Sequence, residues 1–293
     1  MFARTRIRAS VIAALAVTFL AGVLITKGQG RAQSVGTDEA PAITADDLAA
    51  AARTKVFFDH QSVGGNVVDA IAGVYDEHGL AAPRIVALTD TAGAAAQAAP
   101  TGRGGYLAHA YFGQNGDPIA KIESFDARIR GGLGSQVDVA FMKLCYVDVN
   151  SDTDVDAVFA RYRDTMAALE RDFPAVTFLH VTTPVTTEPS LKTRVKELLG
   201  RDEHLGPADN AARERLNALM RREYGSDHLF DLAAIEATAP DGGTESGTYH
   251  GRDYLAMYAG YSADPGHLNA GGSAVAATRL LQLIASSSGS GAS

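Results

Sequence analysis

Short apolar runs of strand length alternate with longer segments of helical period, and this alternation limits the fold more than any other feature of the chain. The runs are residues 55–58 (KVFF), 84–88 (RIVAL), 137–144 (VDVAFMKL), 176–181 (VTFLHV) and 229–232 (LFDL). Between them lie segments 66–78, 117–130, 157–173 and 210–224, and a closing segment spans 270–286. In 117–130 the apolar residues are Ile119, Ile122, Phe125 and Ile129, and in 157–173 they are Val158, Phe159, Tyr162, Met166 and Leu169. Spacings of three and four place such residues on one helix face. Strands apolar on both sides need cover on both sides, so the pattern predicts a parallel sheet with helices on each face. Thr44 is a candidate N-cap for a short helix over 45–53, with Asp46 and Asp47 where the helix dipole favours negative charge. The Ala/Gly/Thr/Pro-rich stretch 91–105 reads as a long surface loop, and no internal repeat or second domain boundary is visible.

The beginning of the chain is of another kind. Arg4, Arg6 and Arg8 precede a charge-free stretch, SVIAALAVTFLAGVLIT, at 10–26, and Gly30-Arg31-Ala32 follows. A basic region, an apolar stretch and small residues form an export signal. Cleavage before Gln33 is the first reading, and an uncleaved inner-membrane anchor is the second, because the apolar stretch nearly spans a bilayer. Either places the domain outside the inner membrane, periplasmic or extracellular, with the arginines inside. The expected organisation is therefore a signal or anchor at 1–32, a polar linker with a short helix at 33–53, one domain at 54–286 and a disordered tail at 287–293. Cys145 is the only cysteine, so the fold must rest on its core without an internal disulfide. The formal net charge of −8 argues against nucleic acid as a partner, since phosphate binding needs a cationic surface.

Chemistry in an open parallel sheet gathers beyond the carboxyl ends of its strands. FFDHQSVGGN, at 57–66, places Ser62 there, between an apolar run and a helix. Ser62 could cap that helix or act as a nucleophile. SADPGHLNAGG, before the closing helix, places Asp264 and His267 three residues apart at the same edge. A serine hydroxyl needs a base to take its proton, and an acid that orients the base completes the set. Asp264 could alternatively cap the closing helix. Other features are weaker. A metal held by His60 and His267 would lack further ligands, and Cys145 reads as a packing residue. GRGGYLAH, at 102–109, reads as a mobile loop rather than a phosphate loop. Tyr249, Tyr254, Tyr258 and Tyr261 could line a sugar-binding lip or simply pack.

These blocks, in this order, resemble the SGNH or GDSL-like hydrolase family over most of the chain from Lys55 to Ile284. VFFDHQSVGGN is similar to the family's first block, with Ser62 as nucleophile. DPGHLNAGGSAVAATRLL is similar to its last, with Asp264 and His267. VDVAFMKLCYVD aligns with the third strand, but Cys145, Tyr146, Val147 and Asp148 stand where the family has Gly-x-Asn-Asp, so Val147 replaces the oxyanion asparagine. His60 and Gln61 replace the usual Gly-Asp ahead of the serine. FGQNGDP offers Gly113 and Gly116 for the family's oxyanion glycine, Gly116 fitting better, with Asn115 as a stand-in amide. The resemblance implies a three-layer α/β/α sandwich with a mainly parallel five-stranded, flavodoxin-like sheet and no cofactor. It also implies an esterase acting through Ser62, His267 and Asp264, with oxyanion donors from Ser62, Gly116 or Asn115. The expected substrate is a small-molecule or carbohydrate ester, an acetyl ester among them, with acyl transfer to another sugar as a variant of the chemistry. A second reading is a binding or scaffold protein that keeps the fold with weak or no catalysis.

Overall fold

The computed structural model describes residues 42–88, 104–190 and 204–289. The expected export segment, the expected cleavage site and most of the expected 91–105 loop lie outside the described residues. The chain enters through α1 (Ala45–Arg53), capped by Thr44 in a capping box with Asp47. Strand β1 (Lys55–His60), helix α2 (Ser62–Glu77), and strands β2 (Arg84–Leu88) and β3 (Tyr106–Tyr111) follow. Helix α3 (Pro118–Arg130), strand β4 (Val139–Met142) and helix α4 (Val155–Asp172) lead to the short strands β5 (Thr177–Phe178) and β6 (His180–Val181). Then come α5 (Pro207–Glu223), β7 (Leu229–Phe230), α6 (Leu232–Ala237) and a hairpin of β8 (Ser246–Tyr249) and β9 (Arg252–Leu255). The antiparallel pair β10 (Ser262–Asp264) and β11 (His267–Leu268) precedes the closing helix α7 (Ala270–Gly289).

The central sheet has the order β2-β3-β1-β4-β5, parallel throughout. Strand β6 continues from β5 across Leu179 and pairs in parallel with β7. Alternate residues of β1 serve the two faces. Val56 and Phe58 join a core with α1, α2 and α7, whereas Phe57 joins a second core with α3, α4 and α5. The result is the three-layer α/β/α sandwich with a mainly parallel five-stranded sheet.

The structure corrects three expectations. Residues 106–109, read as the end of a mobile loop, belong with 110–111 to β3 beside β1, and all of the strand but Tyr111 is buried. His109 and the small Ala108 and Ala110 hide the strand pattern, and burial between neighbours outweighs their weak propensity. Helix α2 begins at Ser62 rather than Asn66, with Gly64 and Gly65 inside it. Its N-cap, Gln61, gives no side-chain capping bond. A cap is worth about 1 kcal/mol, whereas Val63, Val67, Val68, Ile71, Val74 and Tyr75 are all buried at about 1.5–3 kcal/mol each. Packing therefore fixes this helix start. Helix α6 and the β8–β9 hairpin, absent from the sequence reading, complete the stretch before β10.

Candidate active site

Ser62 is the first residue of α2, just beyond the carboxyl end of the central strand β1. It is not the N-cap, which is Gln61, and its hydroxyl has no hydrogen-bond partner among the described residues. As a first-turn residue it also presents a backbone N–H without an intrahelical acceptor. The turn is held from two sides. Gln61 Nε2 donates to Phe112 O at 2.7 Å and Gly113 O at 3.2 Å, joining it to the β3–α3 loop. Beneath it lies the fully buried His60 ring. A Cβ on Gly64 would come within 2.4 Å of His60 Cβ, so glycine is needed where the helix crosses the imidazole.

Asp264 and His267 meet across the β10–β11 turn. His267 Nδ1 lies 2.8 and 2.9 Å from the two carboxylate oxygens of Asp264, and Gly266 N–H donates to Asp264 Oδ1 at 2.9 Å. Burial opposes ionisation of Asp264, but the Gly266 N–H and His267 outweigh it and hold the carboxyl below its ordinary range. The closing helix is capped by Asn269, whose Oδ1 accepts from Gly272 N at 3.0 Å. Asp264 thus serves His267 rather than the cap. Tyr146 packs edge-on against the His267 ring at 5.8 Å, and a Cβ on Gly266 would collide with the Tyr146 ring at 2.5 Å. Strand β11, which carries His267, packs against α2, which carries Ser62. No hydrogen bond joins Ser62 Oγ to His267 Nε2 in this structure.

The β3–α3 loop is organised by a buried ion pair that the sequence reading did not find. Lys121 Nζ contacts Asp148 Oδ2 at 2.7 Å and Oδ1 at 3.0 Å, both side chains being inaccessible. Asp148 also accepts from Cys145 N at 2.6 Å and from Gly116 N at 2.8 Å. The Gly116 N–H is therefore engaged by a carboxylate. Asn115 Oδ1 accepts from Lys121 Nζ at 2.8 Å, which leaves its NH2 as the free end. Gly113, at φ +59°, is tied to the serine turn through its carbonyl, and its N–H has no acceptor among the described residues. The signal available in the sequence was the helical register of α3, which aims Lys121 inward beside Ile122 and Phe125.

The remaining candidates separate cleanly. Both ring nitrogens of His60 are engaged, by Gln61 O at 3.1 Å and His109 Nδ1 at 2.9 Å, so it has none to share with His267 at a metal. Cys145 is buried with its sulfur near Lys121 Nζ and Lys143 Nζ. Of the tyrosines, Tyr249 is exposed, Tyr254 is buried and donates to Glu188, and Tyr261 is buried. Tyr111, which the sequence reading passed over, is about half exposed (49%). Its hydroxyl lies 2.8 Å from where a Cβ on Gly65 would stand, in the first turn of α2.

No family model matches the chain, and no curated protein matches it. Among solved structures it is similar to a protein from Streptococcus pneumonia named for platelet activating factor, at 12% identity and TM-score 0.46, covering 82% of this chain and 91% of that one. It is similar to a protein from Slackia heliotrinireducens assigned as an SGNH hydrolase, at 18% identity and TM-score 0.42, covering 80% and 99%. A lipolytic protein of the G-D-S-L family from Desulfitobacterium hafniense is similar at 8% identity and TM-score 0.38, covering 78% and 99%.

Proposed function

We propose that this chain is a divergent SGNH-type serine hydrolase that cleaves carboxylic esters through an acyl-enzyme. The observation that carries the reading is the Asp264–His267 hydrogen bond on a strand packed against α2, whose first residue offers an uncommitted serine hydroxyl. With Nδ1–H donated to Asp264, His267 Nε2 is the free base. It draws the proton from Ser62 Oγ as the oxygen attacks the ester carbonyl, the contact tightening when substrate fills the site. The tetrahedral oxyanion is held by the N–H of Ser62 and by the β3–α3 loop, where Gly113 and the Asn115 NH2 are free to donate. Gly116 joins only if it releases Asp148. The protonated His267 then passes its proton to the departing alkoxide. Water, deprotonated by the same nitrogen, releases the acid and restores Ser62. An alcohol in place of water gives acyl transfer.

An acetylated carbohydrate is the favoured substrate class, because Tyr111 exposes an aromatic surface beside the first turn of α2 on which a sugar ring can stack. The basic and apolar start of the chain supports placement of the domain outside the inner membrane, by a cut signal or an anchor. The test is labelling with a fluorophosphonate probe alongside hydrolysis of short-chain aryl esters and acetylated sugars. Labelling and turnover in the wild type, lost together in Ser62→Ala, are the expected result. An unlabelled wild type refutes the mechanism and favours the binding or scaffold reading, and a labelled Ser62→Ala refutes Ser62 as the nucleophile.

A further inference from the structure

His60 sits two residues ahead of the proposed nucleophile and is fully buried. Its surroundings fix its tautomer. Gln61 O can only accept, so the His60 nitrogen 3.1 Å away, Nδ1, carries a hydrogen. Burial above all drives the imidazole pKa down to about 3, so the ring is neutral and its Nε2 is an acceptor. The group 2.9 Å from Nε2 is His109 Nδ1, which must therefore donate. The two rings lie nearly parallel, at 9° and 5.1 Å between centroids, bridging neighbouring strands β1 and β3.

This bridge ends at the serine turn. The Gln61 carbonyl that accepts from His60 also accepts from Gly64 N at 2.8 Å and Gly65 N at 3.4 Å, the first bonds of α2. The imidazole lies against Gly64 as well, at a separation no other residue would permit. The chain of contacts runs from His109 through His60 to the Gln61 carbonyl and the first turn of α2. The turn has no side-chain cap of its own.

We propose that His109 and His60 form a positioning unit for the nucleophile, in which the His109 Nδ1–H holds His60 in the orientation and tautomer that place Ser62. This rests on the serine-hydrolase reading and deepens it. Both histidines are buried, so the unit acts on the reactivity of Ser62 and not on substrate binding.

The test compares wild type with His109→Ala, His109→Leu, which fills space without a donor, and His109→Asn, whose amide N–H can stand in for Nδ1–H. The readouts are the fluorophosphonate labelling rate, kcat and KM on an aryl ester, and far-ultraviolet circular dichroism. The expected result is a fall of about 10-fold or more in labelling rate and kcat for Ala and Leu, at unchanged KM, with Asn recovering most of the loss. If Ala fails to fold, Leu and Asn read the same bond. Wild-type labelling in Leu, or an Asn variant no better than Leu, overturns the proposal while leaving the serine reading intact. An unlabelled wild type overturns both.

Discussion

Replacing Lys121 by Met tests whether the loop beside the serine turn is held by charge or by shape. Methionine retains the apolar stem that Gly113 packs against but removes the ammonium from Asp148. The carboxylate keeps its bonds from Cys145 N and Gly116 N, yet stays fully buried with no cation. Breaking one side of such a pair costs about 3–5 kcal/mol, against about 0–1 kcal/mol for an exposed pair. For a domain of this size each kcal/mol lowers Tm by roughly 2–4 °C, so the variant should melt roughly 6–20 °C below wild type. The chain has no tryptophan, so far-ultraviolet circular dichroism is the suitable melting signal. The penalty comes from the buried charge that Asp148 keeps once its partner is gone. Adding Asp148→Asn should recover part of the loss for the same reason. A Tm drop under about 2 °C would show that the pair behaves as an exposed one, and the reasoning from burial would be refuted.

The depressed pKa of His60 makes stability depend on acid. Its folded value of about 3 lies below the ordinary 6.5, so between these values the unfolded chain binds a proton that the native one refuses. Stability is full above about pH 6.5 and falls as the pH drops below it, by roughly 2 kcal/mol at about pH 5 relative to about pH 8. Urea unfolding of wild type and His60→Asn at both values checks this: the wild type should lose roughly 2 kcal/mol more, and equal losses would contradict the assignment of a buried neutral ring. Export is checked by fractionation and N-terminal sequencing of the mature protein. Sequence starting at Gln33 marks a cleaved signal, an intact N-terminus in the membrane fraction marks an anchor, and recovery from the cytoplasm contradicts export.

Much of this protein was written in local sequence. The apolar runs and helical spacings determine a covered parallel sheet, because burial on two faces and period 3.6 are each visible along a single segment. Thr44 and its box partner Asp47 mark a helix start for the same local reason. The pairing of Asp264 with His267 is also short-range, three residues across a tight turn. Other features could not be read this way. Strand β3 is a strand because β1 and β2 flank it, and nothing in YLAHAY announces those neighbours. Lys121 and Asp148 are 27 residues apart, and His60 and His109 are 49 apart. Only the assembled sheet and packed helix α3 bring each pair within hydrogen-bond distance, in an interior where a lone charge or unpaired polar group would be too costly. The role of the Gly-Gly after Ser62 likewise depends on the tertiary structure. Read from the sequence, the helix begins after these glycines, at about Asn66. The folded chain puts the His60 ring against them, so the helix starts earlier and Ser62 becomes its first residue.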